Sequence, residues 1–340
     1  MPPPMSVGAS MREIDARDLR TPGAELLASN EPLILRQLVA HWPLVQAGRR
    51  SAAEALAYLR GYTQDATVGV WLGAPQIRGR FFYNDDLTGF NYRAVMMKLS
   101  AVLDELKRLQ AEAEPPALYV GSTTIDACLP GFRVSNDVAG LPDSALASLW
   151  LGNRTRIAAH YDLPDNLACV AVGRRRFTLF APAELPNLYV GPLELTPAGQ
   201  PISMVDFAQP DLARYPRFAA ARERALVAEL EAGDALFIPG MWWHHVEALE
   251  ACNALVNYWW LRTPAYLGAP LDVLMHALLS LRSLPSAQRA AWRGLFEHYV
   301  FSDDDSALAH LPPDRRGLLG GIDEPRARAL RAYLLNQLNR

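Results

Sequence analysis

Between Leu118 and Trp260 the apolar residues come in short bursts: Leu118–Gly121, Leu167–Val172, Phe177–Phe180, Ala235–Ile238 and Ala254–Trp260. Turn formers punctuate them at Gly173, Pro182, Gly191, Pro192, Gly233, Pro239 and Gly240. Short strands with such breaks predict an antiparallel β sandwich or barrel. Pro-Leu-Ile-Leu-Arg at 32–36 reads as a further extended segment, and 183–225 as a long Pro-containing insertion between strands, a kind of loop that is often functional. The flanks are helical. Ala94–Ala113 carries Val95, Leu99, Val102, Leu106 and Leu109 at helical spacing, and Pro115-Pro116 stops it. Beyond Pro264, Leu271, Leu274, Leu278 and Leu281 form one stripe and Leu330, Leu334 and Leu338 another. The expected organisation is a disordered N-terminus at 1–10, a β core at 11–263 and a helical C-terminal region at 264–340.

Half of the 340 residues are hydrophobic and a fifth are charged, enough apolar material for a sizeable core. A formal net charge of -3 argues against a general nucleic-acid or polyanion binder. Cys128, Cys169 and Cys252 are scattered and form no CxxC pair, which suits a reducing cytoplasm. No run approaches membrane-spanning length and Met1–Ser10 holds no apolar signal core, so neither a membrane anchor nor export is expected. No P-loop, GxGxxG or GxSxG motif is present to support a nucleotide, dinucleotide or serine-hydrolase reading.

Chemistry concentrates in Ala159-His160-Tyr161-Asp162 and Trp242-Trp243-His244-His245. Strand side chains alternate, so His160 and Asp162 are expected on one face and Tyr161 on the other. A His from a distant strand would complete two imidazoles and one carboxylate. That set holds Fe(II) on one side and leaves three positions open. Gly233-Asp234 feeds a strand, Pro239-Gly240 reverses it, and the next strand delivers the His pair. His244 and His245 must face opposite ways, so only one can be a ligand, and alternation alone does not choose between them. A lone His-x-Asp would equally suit a buried imidazole beside a carboxylate. His41, His276, His298 and His310 have no carboxylate or Cys at ligand spacing and read as core or surface residues.

Together with Asp165-Asn166-Leu167, Val172-Gly173-Arg174-Arg175-Arg176-Phe177 and Asn257-Tyr258-Trp259, these motifs resemble the JmjC or cupin-like Fe(II)/2-oxoglutarate oxygenases. Within that family the pattern is most similar to the asparaginyl-hydroxylase branch acting on hypoxia-inducible factor. The resemblance implies a mainly β fold with flanking helices, a double-stranded β-helix (jelly roll), and a helical tail that pairs two subunits. It implies iron on His160, Asp162 and His245, with His244 in a packed or hydrogen-bonded role. It implies 2-oxoglutarate as co-substrate and O2 as oxidant. The C5 carboxylate of 2-oxoglutarate would fall to Arg175, where the family usually has Lys, and a guanidinium fork suits a carboxylate. A solvated hairpin turn is the competing reading of Arg174–Arg176. Tyr119, Asn166 and Asn257 match polar positions near the co-substrate, with ordinary core hydrogen bonding as the alternative. There is one departure: Ile157 stands where the relatives carry Thr, and Thr123 or Thr155 is the candidate to replace the lost hydroxyl.

The expected function is hydroxylation of an amino-acid side chain in a protein or peptide, by a cytoplasmic homodimer with no nucleic-acid or membrane partner. Two other readings stand beside it: a non-catalytic cupin-like metal-binding scaffold, and a small-molecule cupin dioxygenase or isomerase. Sites of the last type commonly use three or four imidazoles, so the carboxylate at Asp162 favours the oxoglutarate class. Gly79–Asp86 reads either as barrel mouth or as a plain strand and turn. Trp242, Trp243, Trp259 and Trp260 read as core and pocket wall, since no basic stripe accompanies them.

Overall fold

The computed structural model describes residues 11–302 and 308–339, apart from residues 18, 20, 21 and 24–26. The expected disordered segment 1–10 lies outside the described residues. The chain divides into two compact units with the boundary between Leu261 and Arg262. Among the described residues no helix is long and apolar enough to cross a membrane.

The first unit is built on strands β1 (Glu13–Asp15), β2 (Leu33–Arg36), β3 (Thr67–Gly73), β4 (Arg80–Phe81), β5 (Tyr92–Lys98), β6 (Ala117–Thr124) and β7 (Leu146–Gly152). The series continues with β8 (Arg156–His160), β9 (Asp165–Val172), β10 (Arg174–Phe180), β11 (Leu226–Glu231), β12 (Ala235–Ile238), β13 (Trp243–Ala248) and β14 (Asn253–Trp260). Two sheets face each other. The larger runs β1-β2-β12-β9-β14-β7-β6-β3-β5 and the smaller β11-β10-β13-β8-β4. Their inner faces share a core that includes Val170, Leu236, Phe177, Leu179 and Val246. The outer face of the larger sheet is covered by helices α1 (Pro43–Arg50), α2 (Ala52–Arg60) and α3 (Leu99–Leu109), whose Leu44, Val45, Leu56, Leu103 and Leu106 join Leu149, Leu167 and Val256 in the main core. Strand β9 is therefore covered on both faces, which is why it is buried along its length and apolar without alternation from Leu167 to Val172. This is the jelly roll with external helices that the motifs imply.

The helix expected over Ala94–Ala113 begins only at Leu99; Tyr92–Lys98 is strand β5, paired with β3 so that Val95 lies opposite Val70. A four-residue spacing such as Val95 to Leu99 satisfies a period of two as well as one of 3.6, so it could not separate the two states. The second unit contains α4 (Pro270–Leu281), α5 (Ser286–Phe296) and α6 (Glu324–Leu338).

Two turns fix the site-bearing strands. Before β12, the buried Asp234 carboxylate accepts the Gln37 N–H at 2.9 Å and the Glu231 N–H at 3.1 Å, and pairs with Arg36 at 2.8 Å. Between β12 and β13, the Gly240 N–H donates to Asp165 Oδ1 at 2.9 Å and the Met241 N–H to the Asp162 carbonyl at 2.7 Å. Met241 adopts φ +70°, a left-handed conformation costly for such a side chain, so the turn is held by its contacts. A Cβ on Gly240 would sit 2.3 Å from the Leu163 carbonyl oxygen, whereas one on Gly69 would meet nothing within 4 Å. Gly240→Ala should therefore lower unfolding free energy by roughly 1–3 kcal/mol in a urea melt, with Gly69→Ala near neutral as control. Equal midpoints for the two variants would contradict this packing.

Candidate metal centre

Strands β8 and β13 are antiparallel neighbours with His160 directly opposite His244. Residues opposite each other in a ladder share a face, and their rings lie with centroids 4.3 Å apart. Asp162 follows β8 in the turn clamped by Met241, and its Oδ2 lies 3.5 Å from His244 Nε2. His160, Asp162 and His244 each offer one ligand atom, all within 4.8 Å of one another, and among the described residues they form the group able to hold a metal ion. This corrects the expectation that His245 completes the set. The physical reason is parity. Tyr161 packs edge-on against Trp243 with centroids 5.0 Å apart, while His245 lies against Phe207 at 4.8 Å, on the opposite side of the strands. His245 faces a buried layer, not the metal group.

Hydrogen bonds set the tautomers. His160 Nδ1 lies 2.9 Å from the Ala158 carbonyl and His244 Nδ1 lies 3.0 Å from the Trp242 carbonyl. A carbonyl oxygen can only accept, so each Nδ1 carries the proton and each Nε2 keeps a lone pair. Burial, aided by His244, lowers the pKa of His160 to about 4, so its ring is neutral at neutral pH. Burial alone would raise the Asp162 pKa, but the neighbouring His244 and His160 outweigh it and hold the carboxyl below its usual range. Burial, with Arg156, likewise pushes His245 down to about 3.

The three groups open into a cavity of about 780 Å³, mouth included, between the sheets. Arg175 lies in its wall. On β10, Arg174 pairs with Glu250 at 2.8 Å, and Arg176 with Glu229 at 2.7 Å and Glu247 at 3.4 Å. Arg175, between them, turns inward: it is 2 % exposed and makes no salt bridge among the described residues, and its Nε has no hydrogen-bond partner. Burial lowers its pKa from the usual guanidinium value. The hairpin reading thus fits Arg174 and Arg176 and fails for Arg175. Register explains the placement: Arg175, Phe177 and Leu179 lie opposite Ala248, Val246 and His244, so all six share the cavity face.

Tyr119, Asn166 and Asn257 also line the cavity. Burial raises the Tyr119 pKa, with Arg175 opposing. Asn257 Oδ1 accepts the Trp150 indole N–H at 2.5 Å, and Asn257 Nδ2 lies 3.5 Å from Asn166 Oδ1. Thr123 and Thr155 do not line it. A bulge in β6 puts two residues opposite Trp150, so Thr123 pairs with Leu149 and turns to the outer core, away from the Tyr119 face. Ile157 lines the wall without a hydroxyl to offer. Phe81, from the ambiguous Gly79–Asp86 segment, and Trp259 are wall residues, while Trp243 and Trp260 are buried core. Sequence reasoning missed Trp71, Trp150 and the Pro197–Ile202 stretch of the insertion. Trp150 alternates with core residues on β7, a strand without Gly or Pro breaks to mark it before Gly152.

Known proteins place this architecture. The cupin-like domain family matches residues 20–266, more than half of the chain. The chain is 29% identical over 266 residues to the human bifunctional peptidase and (3S)-lysyl hydroxylase JMJD7, covering 68% of this chain and 77% of that protein. It is 26% identical over 253 residues to the Drosophila melanogaster Jumonji C domain-containing protein 5, covering 73% of this chain and 59% of that one. A shorter match, 40% identical over 106 residues, joins it to the Gallus gallus tRNA wybutosine-synthesizing protein 5, with 31% of this chain and 30% of that protein covered. On the facing sheets, the His-Asp-His group and these likenesses, the chain belongs to the cupin-like domain family and is a JmjC-type Fe(II)/2-oxoglutarate dioxygenase.

Proposed function

We propose that the chain hydroxylates an amino-acid side chain of a protein or peptide, with iron held by His160, Asp162 and His244 and 2-oxoglutarate anchored by Arg175. The observation that carries this reading is one cavity joining a two-imidazole, one-carboxylate donor set to a buried arginine without a carboxylate partner. That donor set suits non-haem Fe(II), with open positions for further ligands. Bound there, iron and 2-oxoglutarate would supply O2-dependent oxidation of a C–H bond, with succinate and CO2 as co-products.

The residues themselves do the rest. Ala158 and Trp242 carbonyls hold the two imidazoles with Nε2 inward. Arg175 offers a planar fork to a carboxylate, and a buried cation is stabilised by such a partner. Tyr119, Asn166 and Asn257 bring further donors, so the wall favours an acceptor-rich ligand such as a dicarboxylic 2-oxo acid. Phe81, Trp150, Ile157 and Leu255 keep water from the reacting groups. A polypeptide substrate is preferred because the relative named as a lysyl hydroxylase matches over 68% of the chain, against 31% for the tRNA-modifying one. The three free cysteines suit a reducing compartment, the cytoplasm.

We further propose that the C-terminal helices join two copies of the chain. They leave large apolar side chains in the open: Leu279 is 78% exposed, Phe301 66% and Leu335 60%. Exposed apolar surface on this scale marks an interaction face. Light scattering at micromolar concentration should give about twice the 37.6 kDa chain mass, and a Leu334→Arg, Leu335→Arg variant should give the single-chain mass. A wild-type monomer would end the dimer reading.

The co-substrate reading is tested by titrating 2-oxoglutarate into Mn(II)-loaded protein, alongside succinate release over a peptide panel. Arg175→Ala should weaken binding roughly 10–150-fold, the loss of a charge-assisted pair worth about 1.5–3 kcal/mol. Unchanged affinity would place the anchor elsewhere, and a wild type that binds Mn(II) but not 2-oxoglutarate would favour a scaffold.

A further inference from the structure

We propose that the side chain oxidised in this cavity is uncharged, and that Gln200 is the residue that sets the preference. The inference rests on reading the cavity as an Fe(II)/2-oxoglutarate site that acts on a polypeptide, and it names the class of residue presented there.

The charges of the wall carry the argument. Among the described residues that line the cavity, Asp162 and Arg175 are the charged side chains. Asp162 belongs to the metal group, and imidazoles that ligate a metal are neutral. With a divalent ion and a dicarboxylate bound, the ion and Arg175 are balanced by Asp162 and the two carboxylates. No carboxylate is left for a lysine ammonium or an arginine guanidinium, and burying a cation without a partner is costly. No cation is left for an acidic side chain either.

Aromatic rings do not replace the missing counter-charge. Phe81 packs edge-on against Trp71 with centroids 5.7 Å apart, and Tyr119 lies 5.8 Å from Phe81 and 5.9 Å from Trp150. The rings pack on one another, and a cation–π contact is weaker than the desolvation of a full charge that it would offset.

The insertion supplies a polar group of its own. Pro197, Ala198, Gln200 and Ile202 line the cavity, and of these only Gln200 has a hydrogen-bonding side chain. The stretch is pinned on both sides of it. The Tyr83 hydroxyl donates to the Leu195 carbonyl at 2.7 Å, and the Ser203 N–H donates to the Ala159 carbonyl at 2.7 Å. Ala159 precedes His160 of the metal group, and the three residues from Gln200 to Ser203 span at most about 11 Å of chain. Gln200 therefore belongs to the metal end. Arg175 stands apart, four residues along β10 from Leu179, the partner of His244. A carboxamide offers a donor and an acceptor without charge. It satisfies an uncharged polar group and neutralises neither an ammonium nor a carboxylate.

The test offers the Fe(II)- and 2-oxoglutarate-loaded chain peptide libraries with one fixed central residue between randomised flanks, and counts hydroxylated product by mass spectrometry. Libraries fixed at Asn, Gln or Leu should give at least about tenfold more product than those fixed at Lys, Arg or Glu. Gln200→Glu brings a carboxylate to the metal end and should raise the Lys-to-Gln product ratio about tenfold, and Gln200→Asp repeats the swap on a shorter side chain. A second readout needs no turnover. In Mn(II)- and 2-oxoglutarate-loaded protein the ion should broaden the proton resonances of propionamide and leave those of n-butylammonium sharp, with the order reversed in Gln200→Glu. A Lys library modified as well as the Gln library overturns the proposal, and so does n-butylammonium broadened in the wild type as strongly as propionamide. An unchanged Lys-to-Gln ratio in a folded acidic variant that still binds 2-oxoglutarate overturns the role of Gln200. A wild type that binds 2-oxoglutarate and hydroxylates no library fails the parent reading instead.

Discussion

The register between β8 and β13 sets the site, because it places His160 and His244 opposite each other in the smaller sheet. Two imidazoles that face each other across a ladder need no loop to bring them together. The sheet supplies the spacing, and neighbouring carbonyls supply the tautomers. Only Asp162 stands outside the strand, and there the chain adds a clamp: the Met241 N–H on the Asp162 carbonyl, and Gly240 packed against Leu163. A one-residue slip of β13 would turn His244 to the other face and set Trp243 or His245 opposite His160. The antiparallel pairing of β13 with β10 on its other side guards against that slip.

The same pairing carries the charge pattern. Along β10 the three successive arginines split by parity, two outward to Glu250, Glu229 and Glu247, one inward to the cavity. Outward pairs lie in solvent and contribute little to stability. An inward, buried arginine without an anionic partner costs stability, and an anion beside it offsets that cost. Function and fold therefore pull in different directions at Arg175. The chain accepts the cost in a strand held on both sides, by β11 and β13.

Much of this was legible in the sequence. Short punctuated strands announced the two-sheet core, and His-x-Asp with a distant His pair announced a metal group. Arg175, Tyr119, Asn166 and Asn257, singled out in the sequence, all line the cavity. What failed were matters of long-range register and parity. Two adjacent histidines present one imidazole to each face, and only the residue opposite His160 decides between them; that information lies in the pairing, not in either segment. Thr123 missed the cavity because a bulge in β6 reversed its face. Val95 sat at a spacing that strand and helix share. The wall contribution of Pro197–Ile202 comes from an irregular insertion without a period to read.

The most direct measurement is divalent metal stoichiometry by mass spectrometry on anaerobically Fe(II)-loaded, desalted protein, comparing His244→Ala with His245→Ala. The wild type should hold about one iron per chain, as one donor set allows. Iron should be almost completely lost from His244→Ala and retained in a folded His245→Ala. Iron kept by His244→Ala and lost from His245→Ala would contradict the His160–Asp162–His244 centre and every residue role built around it.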